Sequence, residues 1–462
     1  MTQSNTSRGF YGRLFRMVLP MAAQHLMVSL VSASDTIMLG GLGQSNLSAV
    51  SLATRINFFE SFMIFGVTAG ISTMAAQYWG KGDKDTVERI QAIALRYTLP
   101  FGLLFCIGAL LFSEQVMGLF THDPELIPLG AKYLRCASFS YLFIAYSQVV
   151  LTVMKNSARV ARSSAYGITT VVLNIGLNAA LIFGIPGVVR SMGIAGAAIA
   201  TSVSRGVEVF LCLLEDRRQR EIVFRPRLLF ERMPKLSKDF WHYSWPLIAN
   251  CAAWGGGMTM YSVIIGNCGS DLTAAHAVGN IVKDCCDCVG AGVGGGGAIL
   301  LGNELGRNEF DQAKRDGKRL VRLSLIVGVC AGLVLIAISP LVMWFATSLT
   351  RDLTETARSY LRSILWMCSY YMIGRTLNTM LINGIFSAGG DTKFGFWCDL
   401  VNLWGIIIPA AFLAVYFGAH PLLVYFILYL DEFTKIPIEA MHYREYRWLR
   451  NITGAEGKAS EG

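Results

Sequence analysis

The sequence predicts an all-α polytopic membrane protein, with twelve transmembrane helices arranged as two homologous six-helix lobes around a central cleft. Three observations carry that expectation. The 462 residues are 53% hydrophobic and only 15% charged, with a mean hydropathy of +0.47, whereas a soluble chain carries about a quarter charged residues. The apolar residues fall in blocks of about 20 or more, long enough to cross a bilayer as helices. And the second half of the chain repeats the first at a fixed offset.

Taken in order, the blocks are 14–40, 47–79, 90–112, 130–154, 163–185 and 193–214 in the first half. Those of the second half are 239–267, 272–304, 320–346, 357–388, 394–417 and 421–441. A backbone in lipid must satisfy its own hydrogen bonds, so runs with this little alternation read as helices rather than barrel strands. The opening MTQSNTSRGFYGRLFRM is polar and basic, and the run after it is too long for the apolar region of a cleavable signal. That run is the first span.

The formal charge of +9 is a topology signal. With a cytoplasmic N-terminus carrying Arg8, Arg13 and Arg16, every second loop is cytoplasmic. Those loops hold Lys81, Lys84 and Arg89; Lys155, Arg159 and Arg162; Arg307, Lys314, Arg315, Lys318 and Arg319. The central loop EDRRQREIVFRPRLLFERMPKLSK and the tail add more, while the opposite loops show little beyond Arg190 and Arg351. This asymmetry puts both termini in the cytoplasm and argues against a nucleic-acid partner. The eleven cysteines lie almost entirely in spans, where cysteine acts as a small apolar residue. The thiols of CCDC at 285–288 point about 100° apart on a helix and do not share a tight face, which argues against a metal there.

The repeat sets the domains. At an offset of 226, Pro20 meets Pro246, Gly40 meets Gly266 and Gly43 meets Gly269; farther on Gly80 meets Gly306, Asp85 meets Asp311 and Arg89 meets Arg315. The chain reads as two lobes, 1–230 and 236–462, with a cytoplasmic linker at about 215–238. Six spans is an even number, so both lobes have one orientation, related by a pseudo-two-fold axis along the membrane normal.

These residues resemble the multidrug and toxic compound extrusion (MATE) family. The resemblance rests on SDTIMLGGLG at 34–43, on QYWGKGDKD at 77–85 and NELGRNEFD at 303–311, on LNIGLNAALIFG at 173–184 with GIAGAAIATSVSR at 193–205, and on GIFSAGGDTKFGF at 384–396. It implies a two-lobe secondary transporter that exports organic cations and other amphipaths, driven by proton or sodium re-entry. It also implies that Asp35, Asn174 and Asn178 form a coupling site in the N-terminal lobe. One branch of the family has a second acid where this chain has Asn178. The acids of another branch in spans 7 and 10 fall near Trp254 and Thr376 here, so that branch's cation site is missing.

The charged positions have their own physical reading. Asp35 is the sole formal charge between Arg16 and Arg55. A charge inside a span costs a few kcal/mol or more and tends to face a functional path. One carboxylate can hold a proton, a sodium ion or a cationic substrate in turn, and that competition is the coupling an antiporter needs. The plainer reading makes Asp35 a helix-end group in the outer interface. Asn174 and Asn178 share one helix face and offer hard oxygen ligands to sodium or amide donors to a carboxylate, or else act as interhelical glue.

The second half holds Lys283, Asp284, Asp287, Arg375, Asp399, Asp431, Glu432 and Lys435 within spans. The spacing predicts Lys283–Asp287, Asp431–Lys435 and Glu432–Lys435 pairs along single helices, and Arg375 and Asp399 fall where they can pair across helices. This set is either a structural ion-pair network or a second proton or substrate site built on Asp284, Asp287, Arg375, Asp399 and Glu432. Met27, Tyr141, Tyr146 and Trp254 are candidates for the wall of a cavity for planar cations.

No phosphate-binding loop of the G-x-x-x-x-G-K-[ST] type occurs, and no arrangement of nucleophile and base argues for an enzyme. The glycines of GGG at 255–257 and GVGGGG at 292–297 instead suit close helix approach. The expected function is a proton-coupled, or less favourably sodium-coupled, exporter of amphipathic organic compounds. It needs no cofactor beyond the coupling ion and sits as a monomer in the cytoplasmic membrane of a prokaryote. The rival is a flippase for a lipid-linked precursor, which would favour a strongly cationic cavity.

Overall fold

The computed structural model describes residues 7–454, apart from 186, 188–189, 219–221, 223–224 and 350–353. Arg220, Arg351 and Lys458, which enter the charge argument, lie outside the described residues. Every extended element among the described residues is helical. The first half forms α1 (Ser7–Gly40), α2 (Gln44–Lys81), α3 (Lys84–Leu111), the short α4 (Ser113–Gly118), α5 (Leu126–Asn156), α6 (Val160–Phe183) and α7 (Ile194–Arg218). The second forms α8 (Pro234–Asn267), α9 (Ser270–Gly306), α10 (Phe310–Leu349), α11 (Glu355–Asn378), α12 (Thr392–Leu400), α13 (Ile408–Tyr416), α14 (Pro421–Leu428) and α15 (Asp431–Arg444). Each expected span falls on helix, and nine helical stretches among the described residues are long and apolar enough by themselves to cross a membrane.

The helix ends follow local chemistry. Gly82 closes α2 in the left-handed conformation (φ 87°), donating to the carbonyls of Trp79 and Tyr78, and Asp83 caps α3 by accepting from the Thr86 backbone N–H at 3.0 Å. Gly43 and Gly269 open α2 and α9 with nearly the same backbone, φ 105°, ψ 160° and φ 112°, ψ 161°. Gly82 has its counterpart at the repeat offset in Asn308, also left-handed (φ 61°).

The chain divides into two compact units, Leu26–Ser244 and Met1–His25 with Trp245–Gly462. In Leu26–Ser244, α5 is the central helix, packed against α2, α3, α4, α6 and α7. Its Ala137, Tyr141 and Ala145 face are wholly or nearly wholly buried. Gly102 of α3 lets the two helices touch there, since a Cβ would stand 2.6 Å from that of Ala145.

In the other unit α9 and α11 lie inside, with α10 packed on both. The glycine-rich stretch of α9 runs along the first turns of α1: a Cβ at Gly292 or Gly296 would meet Ala22 or Val18 at 3.0 Å. Two π-helical segments interrupt this unit, Thr379–Phe386 after α11 and Val401–Ile407 between α12 and α13. The last span, expected as one run, is broken at Tyr429–Leu430 into α14 and α15. The break places Asp431 and Glu432 in the first turn of α15, where free N–H groups and the helix dipole favour acids. Leu325, Ile326, Val329, Leu333 and Leu341 on α10 are exposed, as a lipid-facing surface requires.

Candidate cation-coupling sites

The first site lies in the Leu26–Ser244 unit and joins three helices. The Asn178 amide, on α6, donates to Asp35 Oδ1 on α1 at 2.7 Å and also lies 3.2 Å from Asn174 Oδ1 one turn below. Asn174 in turn donates at 3.4 Å to Thr201 Oγ1 and Ser204 Oγ of α7. Asp35 is half-buried, whereas Asn174 and Asn178 are buried. Asn178 Oδ1 is shut off from solvent and has no hydrogen-bond partner among the described residues. A buried amide oxygen left open beside a carboxylate is a ready acceptor for a carboxylic acid proton or a bound hard cation.

Deeper in the same unit lies a group of acids that the sequence reading passed over. Glu208 of α7 pairs with Arg205 at 2.9 Å and accepts the Ser147 hydroxyl at 2.9 Å. Glu60 of α2, only 1% exposed, has Arg205 as its cationic neighbour, and its Oε1 has no partner among the described residues. Both acids sit mid-span, so the rule that singled out Asp35 would have found them too.

The second site lies in the unit that includes Trp245–Gly462, and it is one connected chain of charges from four helices, with a neutral partner from a fifth. Arg375 of α11 holds two carboxylates, Asp287 Oδ2 of α9 at 3.2 Å and Glu432 Oε1 of α15 at 3.3 Å. Glu432 Oε2 takes Lys435 Nζ at 3.1 Å and the Asn378 amide at 2.7 Å. The Tyr371 hydroxyl donates to Glu432 Oε1 at 3.2 Å. Lys435 goes on to Asp399 Oδ1 of α12 at 3.0 Å, and Asp399 Oδ2 accepts from Asn250 of α8 at 2.9 Å.

The structure corrects several expected pairings. Lys283 meets Asp284 at 3.6 Å rather than Asp287, and lies over the Tyr371 and Tyr429 rings at 5.5 and 5.7 Å. Asp287 turns instead to Arg375, whose planar fork engages two carboxylates at once. Arg375 therefore does not seek Asp399, which belongs to Lys435. Asp431 takes no part in an i,i+4 bond to Lys435; its Oδ1 accepts the Glu432 backbone N–H at 2.8 Å, within the first turn of the helix. The Glu432–Lys435 pair forms as the spacing predicts.

The four cavity candidates separate. Tyr141 is 0% exposed and its hydroxyl donates to Asn57 Oδ1 at 2.7 Å; it is a core residue, not a cavity wall. Tyr146 lines an apolar hollow of about 560 Å³ with Leu99, Leu103, Leu142, Phe143 and Val209. Met27 is half-buried. Trp254 is exposed, and its ring lies 5.8 Å from the Arg375 guanidinium.

Comparison with known proteins shows the family. The MatE family model matches residues 20–180 and again residues 246–413. Among relatives, "Probable multidrug resistance protein YoeA" of Bacillus subtilis is 22% identical over 97% of this chain and 96% of its own. "Multidrug resistance protein NorM" of Burkholderia vietnamiensis is 24% identical over 86% of this chain and 85% of its own. Among solved structures, a MOP superfamily transporter from Pyrococcus furiosus superposes with a TM-score of 0.84 at 16% identity, covering 94% of this chain and 95% of that one. That likeness shows the fold, and the family match supplies the rest: the chain belongs to the MatE family of membrane transporters.

Proposed function

We propose that the protein is a cation-coupled antiporter of a prokaryotic cytoplasmic membrane, working as a monomer, with the proton as coupling ion in preference to sodium. Its cargo on this reading is amphipathic and cationic organic compounds, the kind of activity that the names of its multidrug resistance relatives indicate. The observation that carries the proposal is the Asp35–Asn178 contact of 2.7 Å beside an open amide oxygen. With its proton, Asp35 can donate to Asn178 Oδ1 once the amide rotates; without it, the carboxylate keeps the amide N–H and can take a cationic substrate. Two mutually exclusive occupants at one group couple their movements.

The duplication supports the same reading, because two like lobes suit alternating access. One family model matches twice, and Gly43/Gly269 and Gly82/Asn308 share backbone conformations at the repeat offset. A flippase for an anionic lipid precursor would call for a surplus of buried cations, whereas carboxylates prevail in the second site.

The test is uptake of a fluorescent organic cation by inside-out vesicles under an imposed proton gradient, then a sodium gradient, with wild type and Asp35→Asn. Proton-driven uptake abolished by the substitution is the expected result. Uptake that survives Asp35→Asn would remove Asp35 from the coupling step, and uptake with the sodium gradient alone would replace the ion.

A further inference from the structure

The second site continues beyond its ion pairs. Glu432, Lys435, Glu439 and His442 follow one another along α15 at steps of three, four and three residues, which puts them on one face. Glu439 is 0% exposed, and neither of its carboxyl oxygens has a hydrogen-bond partner among the described residues. Its charged and titratable neighbours are Lys435 and Glu432 on its own helix, with Asp399 and Cys398 facing it from α12. From α11, Arg375 and Tyr371 stand at Glu432, farther back along the helix.

At the far end His442 Nε2 meets Asp391 Oδ2, from the turn before α12, at 2.6 Å. The ring is stacked on Phe394 at 3.6 Å with Phe386 edge-on at 5.2 Å, so its orientation is fixed. His442 Nδ1 points toward Glu445, 4.0 Å away and 49% exposed. Glu432 and His442 are ten residues apart, about 15 Å of helix.

The charges do not balance. Asp287, Asp399, Asp431, Glu432 and Glu439 face two cations, Arg375 and Lys435, once Lys283 is assigned to Asp284. An unpaired buried carboxylate is too costly to persist as an ion, so the surplus carboxyls are places for protons.

We infer that this face of α15 is a proton relay, with Glu439 carrying protons between the Glu432–Lys435–Asp399 cluster and the His442–Asp391 pair. The inference deepens the antiport reading and rests on it for the driving force, a proton gradient across the membrane. In one passage, the Glu439 carboxylate receives a proton from the cluster. The resulting acid gives it through water to the His442–Asp391 pair, three residues and about 4.5 Å of helix rise farther on. The pair, carrying one proton more, releases a proton to solvent on the Glu445 side and returns to its starting state. One proton enters at the cluster for each that leaves at His442, and no oxidant or reductant takes part. The exit faces the side that the charge asymmetry assigns to the cytoplasm.

The test uses the full-length chain in proteoliposomes, with ethidium as probe. Gradient-driven uptake is compared with ethidium exchange at equal pH on both sides, for wild type, Glu439→Gln, Glu439→Asp and His442→Asn. The relay predicts that Glu439→Gln and His442→Asn slow gradient-driven uptake by about 100-fold, leave exchange unchanged, and that Glu439→Asp restores uptake. Normal gradient-driven uptake in Glu439→Gln overturns the relay. So does a loss of exchange that Glu439→Asp does not restore, because Glu439 then only holds the fold. If the wild type exchanges ethidium but ignores the proton gradient, the antiport reading fails by itself. Proton uptake by the detergent-solubilised protein on acidification then decides: fewer protons in Glu439→Gln supports the relay, and an equal number overturns it.

Discussion

Asp35 and Asn178 lie 143 residues apart and are joined at 2.7 Å, which makes Asn178 the partner that shapes the acid's chemistry. Asn178→Ala removes a hydrogen bond to a carboxyl that the proposed antiport cycle charges and discharges, worth about 1.5–3 kcal/mol when charged. The expected outcome is a protein that still folds, with the pH for half-maximal uptake moved upward, because the ionised form of Asp35 loses its donor and the protonated form is favoured. A pH series of vesicle uptake checks this, and an unchanged midpoint would assign Asn178 to packing. The site was legible because a lone acid in a greasy span is costly wherever it is found, and because residues four apart share a helix face. Glu60 and Glu208 were equally legible by the first rule. Tyr141 was not: an aromatic residue in a span reads the same whether it lines a cavity or fills a core, and only its contact with Asn57 distinguishes them. Pairings in the second site escaped for a related reason. Sequence spacing reports neighbours on one helix, whereas Asp287 and Arg375 are 88 residues apart and meet because one guanidinium reaches two carboxylates. Arg375→Ala leaves Glu432 and Asp287 without their shared cation and should destabilise the protein by about 3–5 kcal/mol, read as a lower melting temperature in detergent. Arg375→Lys should recover part of the loss, since one ammonium cannot reproduce the fork.

Helices α9, α14 and α15 show what period and composition convey about an element. The long apolar runs located the helices, with starts displaced by as much as ten residues, as at α10, since length in lipid leaves little choice of structure. The break at Tyr429–Leu430 and the π segments stayed hidden, because they depend on what neighbouring helices offer. Asn402, inside Val401–Ile407, donates to the Asp431 carbonyl at 2.9 Å and accepts the Thr434 hydroxyl at 2.6 Å. Those bonds tie the π segment to the first turn of α15. The glycines of α9 were legible as contact points but not as to what they touch. A Cβ at Gly292 would stand 3.0 Å from the Ala22 side chain and backbone nitrogen and from the Val18 carbonyl. A leucine at Gly292 would force α1 and α9 apart, at a cost of about 1–3 kcal/mol. The melting temperature of Gly292→Leu should therefore fall, while leucine at Gly176, where a Cβ meets nothing within 4 Å, should leave it nearly unchanged. Equal melting temperatures for the two variants would show that the stretch does not govern helix approach.

For the whole molecule the decisive quantity is where the +9 charge resides. Lys81 and Lys84 beside the α2–α3 turn, and Arg307, Lys314 and Arg315 beside the α9–α10 turn, occupy corresponding loops of the repeat. An even number of spans in each half keeps those loops on one side, and basic residues near span ends resist translocation. The expected orientation rests on chemistry common to both halves, so no single arginine sets it. A C-terminal green fluorescent protein fusion, which matures in the cytoplasm, should be bright in bacterial cells. Alkaline phosphatase fused at the same point, which needs an oxidising compartment for its disulfides, should be inactive. Fusing the phosphatase after Phe417, in the α13–α14 turn, should reverse the result, because one span fewer leaves the fusion on the opposite side. The reverse pattern at both points would invert the topology and turn the His442 end of α15 to the outer face. Proton flow along that helix would then have to run opposite to the direction that an inward gradient drives, and the relay and the antiporter would no longer belong to one mechanism.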